Sequence, residues 1–398
     1  MSKPIASGTV TSARGFLAGA VQTGIRTPNR LDLAILCSEV PCVAAAVFTT
    51  NRVKAAPVIL SHQHLSNGKA QAIVANSGCA NACVGEQGLA DALEMARLTA
   101  TRLKIPVAAV LVASTGVIGT PLPMDCIRRG VKETRLGPQG GHDFAKAIMT
   151  TDSKPKEVAV HLETMGARVT IGGAAKGAGM LHPNLATMLC FVATDASVDS
   201  AFLRSALREA ADVSFNMVSV DGETSPSDSV FLLANGLAGN ETISFSNGES
   251  FQQVLNEVCV QLAKSIARDG EGATKLIEVT VEGTRHQTEA RRAARTIVSS
   301  PLVKAAIHGS DPNWGRIVSA LGRSEAEMAE EKLDVYLNGV QVMKQGHSVP
   351  FDEASMRISL QRDEVSIQVR LNLGDGKATA WGCDLSEEYV TINSAYTT

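Results

Sequence analysis

The sequence predicts an α/β protein with a smaller C-terminal α/β domain, on three observations. Short β-branched runs alternate with amphipathic helical stretches over the first two-thirds of the 398 residues. Most of those runs are apolar at every position, as strands sandwiched between two layers are. After about residue 277 the texture changes to strict apolar–polar alternation, which marks a half-exposed sheet and puts a boundary near residue 280.

In chain order, strands are expected at 43–49 (VAAAVFT), 71–76 (QAIVAN), 107–113 (VAAVLVA), 167–173 (ARVTIGG), 187–194 (TMLCFVAT) and 229–235 (SVFLLAN). Helices are expected at 86–103, at 199–213 behind Asp199 as N-cap, and at 250–268. In the C-terminal domain (281–398), Val365, Ile367, Val369, Leu371 and Leu373 alternate with polar residues. A Gly-Asp-Gly turn and a second strand follow, so 364–385 reads as an antiparallel hairpin. There is no internal repeat and no low-complexity linker.

Composition bounds the function. Apolar residues make up 44% and charged residues 19%, the balance of a folded chain. Aromatics, at 4%, are too few for a surface that stacks bases. A net charge of −3 without blocks of like charge argues against nucleic acid or a membrane surface as partner. No 18-residue apolar stretch occurs, and the N-terminal segment lacks the apolar core of a signal peptide, so a soluble, cytoplasmic chain is expected. The eight cysteines (37, 42, 79, 83, 126, 190, 259 and 383) are scattered and read as buried, reduced thiols. Cys79 and Cys83 have no second His or Cys pair to complete a zinc site, so no metal is expected. Charge is unevenly spread: residues 1–186 carry 19 Lys+Arg against 11 Asp+Glu, leaving 18 against 29 for residues 187–398. Two such halves, at +8 and −11, would attract each other, although uneven sampling alone can produce the split.

Chemistry concentrates around IGGAAKGAGMLHPNLATML (171–189). Gly172, Gly173, Gly177 and Gly179 surround Lys176, and a Pro-Asn turn leads to Thr187. The spacings of the P-loop and of the dinucleotide fingerprint are absent, so a phosphate cradle has the least weight. A plain structural turn, or a loop that brings Lys176 and the Ala186–Thr187 bond together, remains. Threonine is a weak nucleophile without a base. Cutting the bond before it would supply one, because a free α-amino group has a pKa of about 7.7–8.0 and would sit beside the hydroxyl.

Acyl transfer also needs donors for an oxyanion. ASTGVIG (113–119) follows a strand and could aim the Thr115 hydroxyl and the Gly116 N–H into a cleft, but spacing alone favours a simple tight turn. NSGCANACVGEQG (76–88) is another small-residue turn, with Asn76 and Asn81 as polar handles. In NMVSVDGETSPSDS (216–229), Asp221, Glu223 and Asp228 fit a solvated turn better than a metal site. ARDGEGATK (267–275) sets Glu271 between glycines, and HGSDPNWGR (308–316) reads as an ordered loop packing Trp314. None of the eight histidines stands out as a base.

Taken in order, NSGCANAC, STGVIG, KGAGMLHPNLATMLCFVATDA, SFNMVSVDGETSPSDS, ARDGEGATKLIEV, DPNWGRI and NSAYTT resemble the ornithine acetyltransferase family, also called glutamate N-acetyltransferase, from SARGFLAGAVQTGI to Thr398. The resemblance implies a four-layer α/β/β/α core of the N-terminal-nucleophile kind, covering 1–280, with the smaller domain behind it. It implies self-cleavage between Ala186 and Thr187 into chains 1–186 and 187–398, two copies of each assembling. Thr187 would take an acetyl group from N-acetylornithine and pass it to glutamate in arginine biosynthesis. Thr115 and Gly116 match the family's oxyanion hole. Lys176, Thr187, Glu271, Asn393 and Thr398 match its substrate contacts, with Thr150 or Thr151 in MTTDSK as a further one. No cofactor is implied, and acetyl-CoA is a conceivable second donor. One departure is His182, where a small residue is common, and a tolerated loop substitution is its simplest explanation.

Two other readings stand beside this one: an amidase or aminopeptidase using the same threonine, and a phosphate-binding protein that never cleaves.

Overall fold

A computed structural model of the protein describes residues 2–26, 29–164, 166–182 and 188–395. Ala186, Thr187 and Thr398 lie outside the described residues.

Nine strands among the described residues form the first sheet. They are β1 (Ser2–Pro4), β2 (Phe16–Val21), β3 (Leu33–Phe48), β4 (Lys69–Cys79), β5 (Val110–Val117), β6 (Lys156–Thr164), β7 (Ala167–Lys176), β8 (Leu189–Thr194) and, past β9 (Val218–Ser219) of the second sheet, β10 (Ser229–Ala234). Their spatial order is β1-β6-β7-β8-β10-β3-β4-β5, with β2 beside β3. The long β3 is the joint. β2 pairs its first half, Leu33–Ser38, and β10 pairs its second half, Val43–Phe48. Its register with β4 shifts between Cys37 and Cys42, around Pro41, where the missing N–H interrupts the ladder.

The two halves of this sheet face each other. Ile73, Ala75, Leu111 and Ala113 of β4 and β5 share one cluster with Phe191, Ala193, Phe231 and Leu233 of β8 and β10. The intervening residues point outward. Ala72, Val74, Val110 and Val112 pack with α1 (Ala56–His64), α2 (Gly85–Leu103) and α3 (Met124–Glu133). On the opposite outer face, Cys190, Val192, Val230 and Leu232 pack with α5 (Ser200–Val213) and α6 (Glu249–Arg268). Period-2 alternation on strands apolar on both faces thus yields four layers, α/β/β/α. A short α4 (Gly141–Ala147) enters the inner layer through Phe144, whose ring meets Phe191 edge-on at 5.0 Å, while Phe191 stacks on Phe231 at 5.6 Å.

The second sheet combines β9 with β11 (Leu276–Thr284), β12 (Asp334–Leu337), β13 (Val340–Lys344), β14 (His347–Ser348), β15 (Glu364–Arg370) and β16 (Gly376–Cys383), in the order β14-β13-β12-β15-β11-β16-β9. Helices α7 (Gln287–Val298), α8 (Pro301–His308), α9 (Trp314–Gly322), α10 (Glu353–Ser359) and α11 (Glu387–Ala395) complete this part. Its apolar residues belong to the same cluster as those of α5 and α6, so the core is continuous.

Several expectations meet their elements closely. Asp199 caps α5 by accepting from the N–H groups of Ala201 and Phe202. Others need correction. The expected hairpin over 364–385 does not form: β11 lies between β15 and β16, parallel to one and antiparallel to the other. Ile277, Val279 and Val281 of β11 are buried in the same alternating way, so the pattern fixes the face of a strand but not its neighbour. Residues 371–374 arch over the end of β11, with the N–H groups of Leu373 and Gly374 donating to the Gly283 carbonyl. The Ser-Thr-Gly run is no tight turn either. It belongs to β5, whose pairing with β4 bulges at Cys79. Trp314 opens α9 rather than sitting in a loop. Of the cysteines, Cys83 is exposed and Cys126 half-exposed, not buried.

Candidate active site

One pocket collects the predicted side chains that lie among the described residues. Thr115 and Gly116 come from the end of β5, and Thr150 and Thr151 follow α4. Lys176 is the last residue of β7, Glu271 follows α6, and Asn393 sits on α11.

Each is held by its own local logic. At Gly116 the backbone has φ +129, and a Cβ there would stand 2.3 Å from the Gly78 carbonyl carbon, so only glycine fits the bulge. Just before it, the Ser114 hydroxyl donates to Asn76 Oδ1 at 2.6 Å, and Asn76 Nδ2 donates to the Cys79 carbonyl. The polar handle of the 76–88 turn therefore braces β4 against β5. Asn81 ties its loop to the first turn of α2, donating to the Gly88 carbonyl. The N–H groups of Met180 and Leu181 donate to Asp221, whose carboxylate pins the strand-to-loop exit after Lys176. Arg26 donates to the carbonyls of Met149 and Thr150, fixing the Thr150–Thr151 corner.

Glu271 is 8% exposed, and its Oε2 accepts from Asn393 Nδ2 at 2.8 Å. A Cβ on Gly179 would lie 2.4 Å from that carboxylate, so the glycine lets the two segments close on each other. Lys176, 2% exposed, donates to Thr115 Oγ1 at 3.4 Å and has no carboxylate within 4 Å among the described residues. Burial lowers its pKa, and Lys156 adds to this, while Asp152, Asp228 and Glu271 oppose it.

Some residues that shape the site were not legible beforehand. Asp228, expected in a solvated turn, is fully buried and accepts from the Met188 N–H at 2.9 Å. Burial pushes its carboxyl pKa well up, and its Oδ2 has no partner among the described residues. Ser225 and Ser227 of the same segment line the pocket. Asp152 and Asp269 hold a buried Lys156 directly behind it. Only the run of apolar residues after Ser229 could have hinted that Asp228 is interior. Glu223 does stay exposed, and no trio of His, Cys, Asp or Glu among the described residues could hold a metal. His182 lies outside the pocket lining, with Nδ1 3.2 Å from Ser219 Oγ.

The arrangement offers a hydroxyl and a glycine at a strand bulge, one buried lysine and one buried glutamate. A family model described as the ArgJ family matches residues 17–398.

The chain belongs to the ArgJ family.

Among named relatives, the arginine biosynthesis bifunctional protein ArgJ of Dehalococcoides mccartyi is 54% identical over 395 residues, 98% of each chain. That of Bacillus subtilis is 46% identical, over 98% of this chain and 97% of its own. The crystal structure of ArgJ from Bacillus halodurans is 45% identical with a TM-score of 0.51, covering 52% of this chain and 98% of that one. Membership of the ArgJ family makes this pocket, on an α/β/β/α scaffold, that of an enzyme.

Proposed function

We propose that the chain cleaves itself between Ala186 and Thr187 and that Thr187 then carries an acetyl group from N-acetylornithine to glutamate, in arginine biosynthesis. The observation that carries this reading is that buried Lys176 and buried Glu271 line one pocket with Thr115 and Gly116, in an ArgJ-family chain. Both substrates are amino acids, so each offers a carboxylate for a lysine and an ammonium for a glutamate.

In the first step the Thr187 hydroxyl attacks the Ala186 carbonyl, the C–N bond breaks and the nitrogen takes the proton. Water then opens the ester, leaving a carboxylate on Ala186 and a free α-amine on Thr187. In transfer, that amine takes the hydroxyl proton as oxygen attacks the acetyl carbon, and hands it to the departing ornithine nitrogen. The amine of glutamate attacks the acetyl-threonine and restores the hydroxyl. Donation from Thr115 and the Gly116 N–H would stabilise both oxyanions. Burial of Thr115, Thr150, Lys176 and Glu271 restricts the access of water to the ester.

The half-length B. halodurans chain supports the cut, since 98% of it matches only 52% of this sequence and residues 187–398 number 212 of 398. We extend the reading to a cytoplasmic enzyme of two copies of each piece, without a cofactor, for which acetyl-CoA is a second donor to test. Intact mass of the purified protein decides the cleavage: two species are expected, and Thr187→Ala should give one of 41.7 kDa. Splitting of the variant at the same bond would sink the proposal. Incubation with N-acetylornithine and glutamate should yield N-acetylglutamate; free acetate in its place would mean a hydrolase.

A further inference from the structure

We infer that Asp152, clamped by Lys156 and Asp269, is a positioning residue that ties three walls of the pocket together and supplies the fixed negative charge that keeps Lys176 an ammonium, able to receive a substrate carboxylate. The inference rests on the function proposed above and adds a residue to it.

The geometry is that of a hub. Asp152 Oδ1 accepts from Lys156 Nζ at 2.6 Å and from the Gly177 N–H at 2.7 Å, and its Oδ2 accepts from the Thr150 N–H at 2.9 Å. One carboxylate thus holds the wall that carries Thr150 and the wall that ends in Lys176. Lys156 Nζ also lies 2.6 Å from Asp269 Oδ2, two residues before Glu271 on the third wall. Asp269 in turn accepts from the N–H and the hydroxyl of Ser153. The side chains of Lys156 and Asp152 are fully buried, and that of Asp269 is 5% exposed.

Charge counting gives the hub its second role. A single carboxylate would satisfy Lys156, yet two are present, which leaves the triad at −1. The cation left to balance is Lys176, which lacks a carboxylate within 4 Å among the described residues. An unbalanced buried charge is expensive, whereas a neutral set of two cations and two anions is not. Among the described residues, the charged or titratable groups that face Lys176 are Asp152, Lys156, Asp228 and Glu271. Asp228 is engaged by the Met188 N–H and burial disfavours its charged form, while Glu271 is engaged by Asn393 and directed at the substrate ammonium. Asp152 remains. Its own carboxyl would be raised by burial, but Lys156, Lys176 and the Gly177 N–H outweigh that and hold it well below the usual carboxylate range, so it stays charged.

The test compares glutamate KM and kcat from pH 6 to 10 in wild type, Asp152→Asn and Asp269→Asn. Both substitutions weaken the same buried cluster, so a merely structural role moves both alike. The proposal expects Asp152→Asn, which removes the carboxylate that faces Lys176, to bring the alkaline rise in KM down by about one pH unit or more, with KM raised about tenfold on that limb and kcat changed far less. Asp269→Asn, whose carboxylate reaches Lys176 only through Lys156, should move that limb much less. Asp152→Glu should restore the wild-type limb. Matching pH profiles in the two Asn variants would overturn it. Should Asp152→Asn not fold, or should wild type show no transfer, 13C-lysine NMR of the wild-type protein, assigned with Lys176→Met, reads the amine directly. An ammonium signal persisting to pH 8 supports the inference, and a neutral amine at pH 7 sinks it. Failure of the function itself shows separately, as absent transfer in wild type.

Discussion

Gly116 and Gly179 are both small residues in one pocket, yet they should fail differently when enlarged. A methyl group on Gly116 meets the backbone of Gly78 and Cys79 at 2.3–2.6 Å, in a conformation that side chains avoid. Gly116→Ala is expected to lose at least about 100-fold in transfer and roughly 2 kcal/mol in stability, measured by acetyl-transfer assay and denaturant unfolding. At Gly179 the obstacle is only the tip of the Glu271 side chain, which can swing away. Gly179→Ala should keep its unfolding midpoint and raise KM instead. His182 gives a pH prediction. Burial, helped by Arg295, lowers its pKa below the ordinary 6.5, so the folded chain binds fewer protons than the unfolded one just below that pH. Its contribution therefore favours folding above about pH 6.5 and is lost as pH falls, and His182→Gln should flatten thermal stability between pH 5 and 7.

Elements differ in how much they were legible. Strands β8 and β10 announced themselves because both faces of each are buried, leaving uninterrupted apolar runs. The turn at Ser114-Thr115-Gly116 was misread because a bulge keeps the small polar residues inside β5, and a bulge leaves no signature except the glycine. β6 and the Lys156 cluster were missed for another reason. Asp152 and Asp269 lie 117 positions apart, and nothing local tells a lysine that a second carboxylate will reach it. The site residues were found through order-preserving motifs, since no spacing links Thr115, Lys176, Glu271 and Asn393. Among the helices α1–α11, α11 has the least anchorage: none of its described residues is buried, and Asn393–Glu271 is its tie to the pocket. Asn393→Ala should therefore leave the melting temperature almost unchanged while raising KM roughly fivefold, the worth of about 1 kcal/mol. Within the inner layer the reverse holds. Phe191→Ala should cost about 3–5 kcal/mol, read by denaturant unfolding, because it empties the space between Phe144 and Phe231.

Across the whole molecule, strand order governs what a cut after residue 186 would do. β8 and β10 belong to the second piece, yet they lie between β7 and β3 of the first. Ladders run along both seams, from Ile171–Thr194 to Lys176–Leu189 on one side and from Ser229–Phe48 to Ala234–Val43 on the other. The inner layer draws on both pieces as well. The two pieces should co-elute through native gel filtration and part only in denaturant. Separation at low denaturant with the fold intact would contradict that strand order.

The same interleaving changes the molecularity of folding. In the uncut chain, β8 meets β7 through a tether of twelve residues, which keeps its partner at an effective concentration of about millimolar. Once the tether is severed, the inner strands must find their places by collision. An uncut Thr187→Ala chain should refold from denaturant at a rate independent of dilution, whereas the matured protein should slow in proportion to it. Maturation would thus be a one-way passage: the molecule assembles as a single polymer and afterwards survives as a complex it could rebuild only by a second-order encounter.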